Sequence, residues 1–131
     1  MITYNIGNST KQIKLTVEID TIGLVASRAS LLDLNSIKPS TSVGNSENAT
    51  GNIPTRNIGK GNEIKNMQLS ILSKIDLLGD LASRKKESAR ITGKYDLENG
   101  QEGHMTFGEP EKVVSDDFVT VFLLMEINLT A

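Results

Sequence analysis

His104 is the only histidine in the chain, and there is no cysteine. A Ser-His-Asp arrangement, a thiolate nucleophile, a disulfide or a His/Cys zinc site therefore cannot be assembled from one copy. The remaining acid–base chemistry rests on carboxylates, which fall in pairs beside turns: Asp76 and Asp80, Glu109 and Glu111, Asp116 and Asp117. Two such turns meeting at one end of the molecule would offer calcium several hard oxygen ligands. The same carboxylates could form the acid–base pair of a glycosidase. None matches a defined calcium loop, and carboxylates at strand ends usually solvate or cap turns. Gly59-Lys60-Gly61 has the outline of a phosphate loop. However, Gly61 follows the lysine where Ser or Thr is needed, and Pro54 stands where the motif's first glycine belongs. No catalytic, cofactor-binding or metal-binding residue is assigned, and His104 is expected to be a solvent-facing polar residue near a hairpin.

Composition narrows the partners. The formal net charge of -2 gives no electrostatic case for nucleic acid or an anionic membrane. No apolar run approaches the roughly 18 residues of a membrane helix. MITYNIGNST has neither a basic n-region nor an apolar h-region, so cytoplasmic synthesis is expected, with a virion as one destination. There is no tryptophan, and the aromatics are Tyr4, Tyr95, Phe107, Phe118 and Phe122. Most sit on strand patterns that turn them inward, leaving few platforms for stacking sugars or bases. Arg84-Lys85-Lys86 is basic, whereas 96–117 is acidic. These are either solvated faces or complementary patches on neighbouring copies. Sequons at Asn8, Asn48 and Asn128 mostly reflect composition.

The elements that must position these residues are strands. In FVTVFLLMEINLT, residues 118–130, every odd position is apolar, as are Phe118, Phe122 and Leu124 among the even ones. The pattern predicts a long central strand, wholly buried on one face and buried for half its length on the other. A bend or bulge is expected where the second face changes character. Residues 2–6 read as a short edge strand, and 11–20 as a half-buried strand alternating Ile13, Leu15, Val17 and Ile19 with polar residues. Asp20-Thr21-Ile22-Gly23 reads as a turn, with 24–34 returning as the other arm of a hairpin.

Residues 35–62, rich in Ser, Asn, Gly and Thr, offer little to bury and read as a long loop or arm, free or ordered on a partner. The stretch 66–78 fits a strand or a helix. An ungapped match between 19–28 and 75–84 (IDTIGLVASR against IDLLGDLASR) favours a strand and suggests a duplicated strand–turn–strand unit. Within 80–88 a helical turn capped by Asp80 is expected, followed by a strand over 89–97 that turns Ile91, Tyr95 and Leu97 inward. Asn99-Gly100 signals a hairpin. A plain two-residue turn there would pair Tyr95 with His104 and put Met105 and Phe107 on the wrong face. A bulge using Gly100 or Gly103 is therefore expected.

Together these elements define a single all-β domain, 1–131, folded as an antiparallel β-sandwich or partly closed barrel of about 7–8 strands. The functional expectation is a non-enzymatic structural or assembly protein, a subunit or decoration of a symmetric particle such as a phage virion. Its partners would be proteins, either copies of itself or a larger assembly, with no nucleic acid and no membrane. The alternatives are a monomeric module that binds protein or glycan through its loops, and an enzyme with a cleft of shifted carboxylates.

Overall fold

A computed structural model describes residues 2–131. In chain order its elements are β1 (Thr3–Asn5), β2 (Gln12–Asp20), β3 (Leu24–Asp33), β4 (Thr41–Asn45), β5 (Ile53–Lys60) and α1 (Gly61–Ile64). They continue with β6 (Met67–Asp76), α2 (Leu81–Arg90), β7 (Thr92–Gly100), β8 (Gly103–Phe107), β9 (Glu111–Val114) and β10 (Thr120–Thr130). Two sheets, of six and four strands, pack as an open sandwich rather than a closed barrel. The larger runs β1-β10-β6-β3-β4, with β9 also on β10, and the smaller runs β5-β2-β7-β8.

The alternation seen in the sequence sets the core. β10 buries Val121, Leu123, Met125, Ile127 and Leu129, and β6 buries Leu69, Ile71 and Ile75. Opposite them the smaller sheet contributes Ile13, Leu15, Val17, Ile19, Tyr95 and Leu97, all in one cluster. β10 is central, as its pattern predicts, but the expected bulge is absent. Its pairing with β6 runs unshifted from Thr120↔Asp76 to Asn128↔Gln68. What changes along β10 is its other neighbour: antiparallel β9 flanks residues 121–124, and parallel β1 flanks 128–130. The strand also begins two residues later than read. Phe118 lies in a turn at φ 58, where its N–H donates to the Ser115 carbonyl.

Several expectations are corrected. β2 and β3 do not form a hairpin, because they lie in different sheets and the Asp20–Gly23 turn crosses between them. Each carries one apolar face, and stacking those faces buries both, whereas edge-to-edge pairing would leave the pair one layer thick. The segment 35–62 is not one long loop, since β4, β5 and the start of α1 fall in it, and β5 buries Ile53 and Ile58. Its polar residues suit edge strands, where a few apolar anchors and ladder hydrogen bonds suffice. The intervening turn is strapped down as well: the Val25 N–H donates to the Ala49 carbonyl and the Ser46 N–H to the Ser27 carbonyl. Gly51, at φ +74, lets the chain pass where a Cβ would come within 2.2 Å of the Val25 side chain.

The matched turns do not mark a duplicated unit. Ile19-to-Arg28 is strand–turn–strand, but Ile75-to-Arg84 is strand–turn–helix. Asp80 decides this, its carboxylate accepting from the Ser83 N–H at 2.8 Å as the expected N-cap. The strand read as 89–97 accordingly begins only at Thr92, because Ala89 and Arg90 complete the helix. The β7–β8 register matches expectation, with Tyr95 facing Phe107 and Leu97 facing Met105, and a bulge between Leu97 and Gly100. Asn99 and Gly103 take positive φ there.

The Tyr95 hydroxyl is buried without a hydrogen-bond partner among the described residues, and burial pushes its pKa up to about 12. Tyr95→Phe should therefore leave stability unchanged or raise it by up to about 1 kcal/mol. Leu123→Ala, at a fully buried position, should cost about 2–5 kcal/mol. Urea unfolding of both variants checks the pair, and a large loss in Tyr95→Phe would contradict the assignment of an unpaired hydroxyl.

Candidate interaction surface

Of the carboxylates singled out by sequence, Asp80 and Asp117 prove to be turn hardware, while Asp76 ends β6 and Glu111 begins β9. Asp80 caps α2. Asp117 accepts from the Ser115 hydroxyl at 2.7 Å and the Val119 N–H at 3.1 Å, which hold its carboxyl below the usual range. Among the described residues no group of three or more His, Asp or Glu side chains gathers as a metal site would require. Lys60 ends β5 with its glycine neighbours at the strand–helix junction.

His104 is exposed as expected, but it has a partner. Its Nε2 lies 3.2 Å from Asp96 Oδ1, and the Thr106 hydroxyl donates to the same oxygen. Lys94 Nζ stands 3.8 Å from Oδ2. Burial pushes the Asp96 carboxyl up, but the hydrogen bonds from Thr106 and His104 and the Lys94 charge outweigh it, and its pKa is lowered. A catalytic triad places imidazole between hydroxyl and carboxylate. Here both donors sit on the carboxylate, so the imidazole is not placed to take a proton from the hydroxyl. The cluster ties β7 to β8 across the outer face of the smaller sheet.

Glu87 was not singled out by sequence. It is buried on α2, where Arg90 grips it with Nε to Oε1 at 2.7 Å and Nη2 to Oε2 at 2.8 Å. It also accepts from the Thr21 hydroxyl at 2.7 Å and the Ile22 N–H at 3.0 Å, fastening α2 to the β2–β3 turn. An acidic residue three before an arginine on a helix was the only available signal, and the turn partner is invisible in sequence. The basic run on α2 is partly engaged within the chain: Arg84 donates to the Asp117 carbonyl, and Lys85 lies 5.4 Å from the Phe118 ring centre.

The surface that stands out is the outer face of the six-stranded sheet. The even positions of β10, read as buried for half their length, are not covered by any element. Phe122 is 38% exposed and Leu72, on neighbouring β6, is 45% exposed. Val113 and Leu24 are exposed beside them. Beyond this face, the matched turns bring a second apolar group to one end of the sandwich. Ile22 is 83% exposed and Leu78 69% exposed, with Leu81 and Val119 also exposed. Against known families, curated proteins and solved structures the chain has no match.

The Arg90 hydrogen bonds, aided by Thr21 and Ile22 against burial, lower the Glu87 pKa from 4.5 to about 2. A carboxyl depressed in the folded state contributes stability that is full above its unfolded pKa and lost as pH falls through the folded one. Stability from this group should therefore decline between about pH 4.5 and pH 2. Glu87→Gln should cost about 1–3 kcal/mol at pH 7 and much less at pH 2. Urea unfolding of both proteins at the two pH values measures the difference, and an equal cost at both would remove the linkage.

Proposed function

We propose that the protein is a non-enzymatic assembly component, a small β-domain that builds or decorates a symmetric particle such as a virion by packing against protein partners. The observation that carries this reading is the outer face of the six-stranded sheet. In antiparallel sheets with one solvated face, that face is ordinarily polar. Here Phe122, Leu124 and Leu72 stand on it together, with Val113 on the adjoining β9. Contiguous apolar surface on an otherwise polar domain is the mark of a surface that another protein covers. The partners proposed are copies of the chain or a larger assembly of which it is one part.

The second reading, a monomeric module that recognises a protein through its loops, is favoured by the exposed Ile22 and Leu78 tips. The two surfaces separate the readings. For the assembly reading, native mass should rise to a discrete oligomer with concentration, and Phe122→Ser should lower it while Ile22→Ser does not. A concentration-independent monomer whose apolar tips alone matter for partner capture would move the reading to the loop-binding module.

A further inference from the structure

We propose that the outer face of the six-stranded sheet pairs with the same face of a second copy, about a two-fold axis parallel to the strands and running between β6 and β10. This deepens the assembly reading and rests on it.

The register supplies the layout. One row across the face reads Val113, Phe122, Lys74 and Ala26 on β9, β10, β6 and β3. The next reads Glu111, Leu124, Leu72 and Arg28 on the same four strands. A two-fold axis along the strands keeps each row in place and reverses its order, which is what an isologous contact requires. With the axis between β6 and β10, β10 lies over the second copy's β6, and β9 over its β3.

Each residue of both rows then meets a suitable one. Leu124 lies over Leu72, and Val113 over Ala26, a larger side chain over a small one. The Phe122 ring lies over the Lys74 stem and ammonium, a favourable cation–aromatic pairing. Glu111 lies over Arg28. By symmetry every contact occurs twice.

Charge is what selects a second copy over an unrelated partner. Arg28, Lys74 and Glu111 are all exposed and make no ion pair among the described residues. Within these two rows the acid lies on the β9 side of the apolar strip and the cations on the β6–β3 side, so the rows are complementary to their own rotated image. The flanking rows add Asp76 on β6 and Glu126 on β10, which lie over Thr120 and Ser70. A partner with a single-sign patch would leave one side unmatched. Area fits a weak, concentration-dependent contact. Strands about 4.8 Å apart, with β3, β6 and β10 each about 33 Å long and the shorter β9 beside them, give a face of roughly 540 Å². That is below the roughly 800 Å² each partner contributes to a standard interface and in the range of transient ones. Stacking with strands near parallel is the aligned packing that twisted sheets adopt.

The test is sedimentation equilibrium of the full chain over a range of concentrations. Wild type should associate through dimers. Arg28→Glu and Glu111→Arg should each weaken association by about tenfold or more, because like charges then face each other twice. The double variant Arg28→Glu/Glu111→Arg should restore it, since both pairs are re-formed with signs reversed. Phe122→Ser should weaken it without touching the charges. Glu18→Lys, on the other sheet, should leave it unchanged. Circular dichroism checks that each variant is folded.

A wild type that stays monomeric throughout overturns the inference and leaves the face to a different protein. An oligomer indifferent to the single reversals also overturns it, while leaving the assembly reading standing. Single reversals that dissociate the oligomer without rescue by the double variant overturn the pairing of Arg28 with Glu111.

Discussion

Burial of one face of β6, with that strand paired on both edges, is the constraint on which the rest of the molecule depends. β6 matches β10 from Gln68 to Asp76 and β3 from Met67 to Asp76, with no shift in either register. Side chains alternate with a period of two, so sliding any of these strands by one residue would expose its whole apolar set. Leu69, Ile71 and Ile75 hold β6 in place, and the same requirement acts through Val121, Leu123 and Met125 on β10 and Val25, Ala29 and Leu31 on β3. Ser27 and Ser73 sit on the same inward face and satisfy one another through a hydroxyl pair at 2.6 Å, the one polar step inside this seam. With three strands fixed, the second sheet has a surface of set shape to cover.

The open sides of the sandwich are then closed by specific polar contacts. On one side Tyr4 sends its hydroxyl to the β7–β8 hairpin, accepting from the Gly100 N–H at 2.9 Å and donating to the Gly103 carbonyl. Its ring meets Phe107 edge-on at 6.3 Å. At the end of the molecule where the β2–β3 and β6–α2 turns meet, α2 has almost no apolar face of its own, since the residues it buries are Glu87 and Ser88. It is retained by the Glu87 grip on Thr21 and Ile22 and by Lys112 donating to the Ser88 carbonyl. Such a helix is held by hydrogen bonds to charged groups, which are roughly twice as strong as neutral ones but sensitive to protonation.

The outer face of the larger sheet follows from the same alternation. A central strand that buries its odd positions must turn its even positions away from the core, whatever they are. On β10 those positions include Phe122 and Leu124, so the fold obliges apolar side chains to face outward unless something covers them. The four-stranded sheet behaves differently: its outward positions include Thr16, Glu18, Lys94 and Asp96, and Thr106 and His104 pair with that last carboxylate. The two outer faces of one sandwich thus have different chemistry, which is the physical basis for proposing contact at one of them.

Alternation in 11–20 and 118–130 determined by itself that these are strands, which face each buries, and that the domain is all-β. In 66–78 the apolar spacing fitted a helix as well, and the match to 19–28 that favoured a strand gave the right element although the two stretches are not copies of one unit. The same rule foresaw the β7–β8 bulge, because Tyr95 and Phe107 had to share a face. The Asp80 cap was legible for the same reason: local chemistry acts over a few residues. Only tertiary structure decided which strands become neighbours. Hence the Asp20–Gly23 turn links two sheets rather than a hairpin, and similar turns at 19–28 and 75–84 lead into a strand and a helix. Sequence also could not see that 41–45 and 53–60 would be strands. Their stability comes from edge pairing: β5 pairs with distant β2, while β4 folds straight back onto β3, and their mostly polar residues carry no alternation that would mark either strand. Nor could it tell that Phe122 would stay exposed and Leu124 only half-buried. An apolar residue reports that it favours burial, and whether its own chain or another supplies the cover is fixed only when the sheets are stacked.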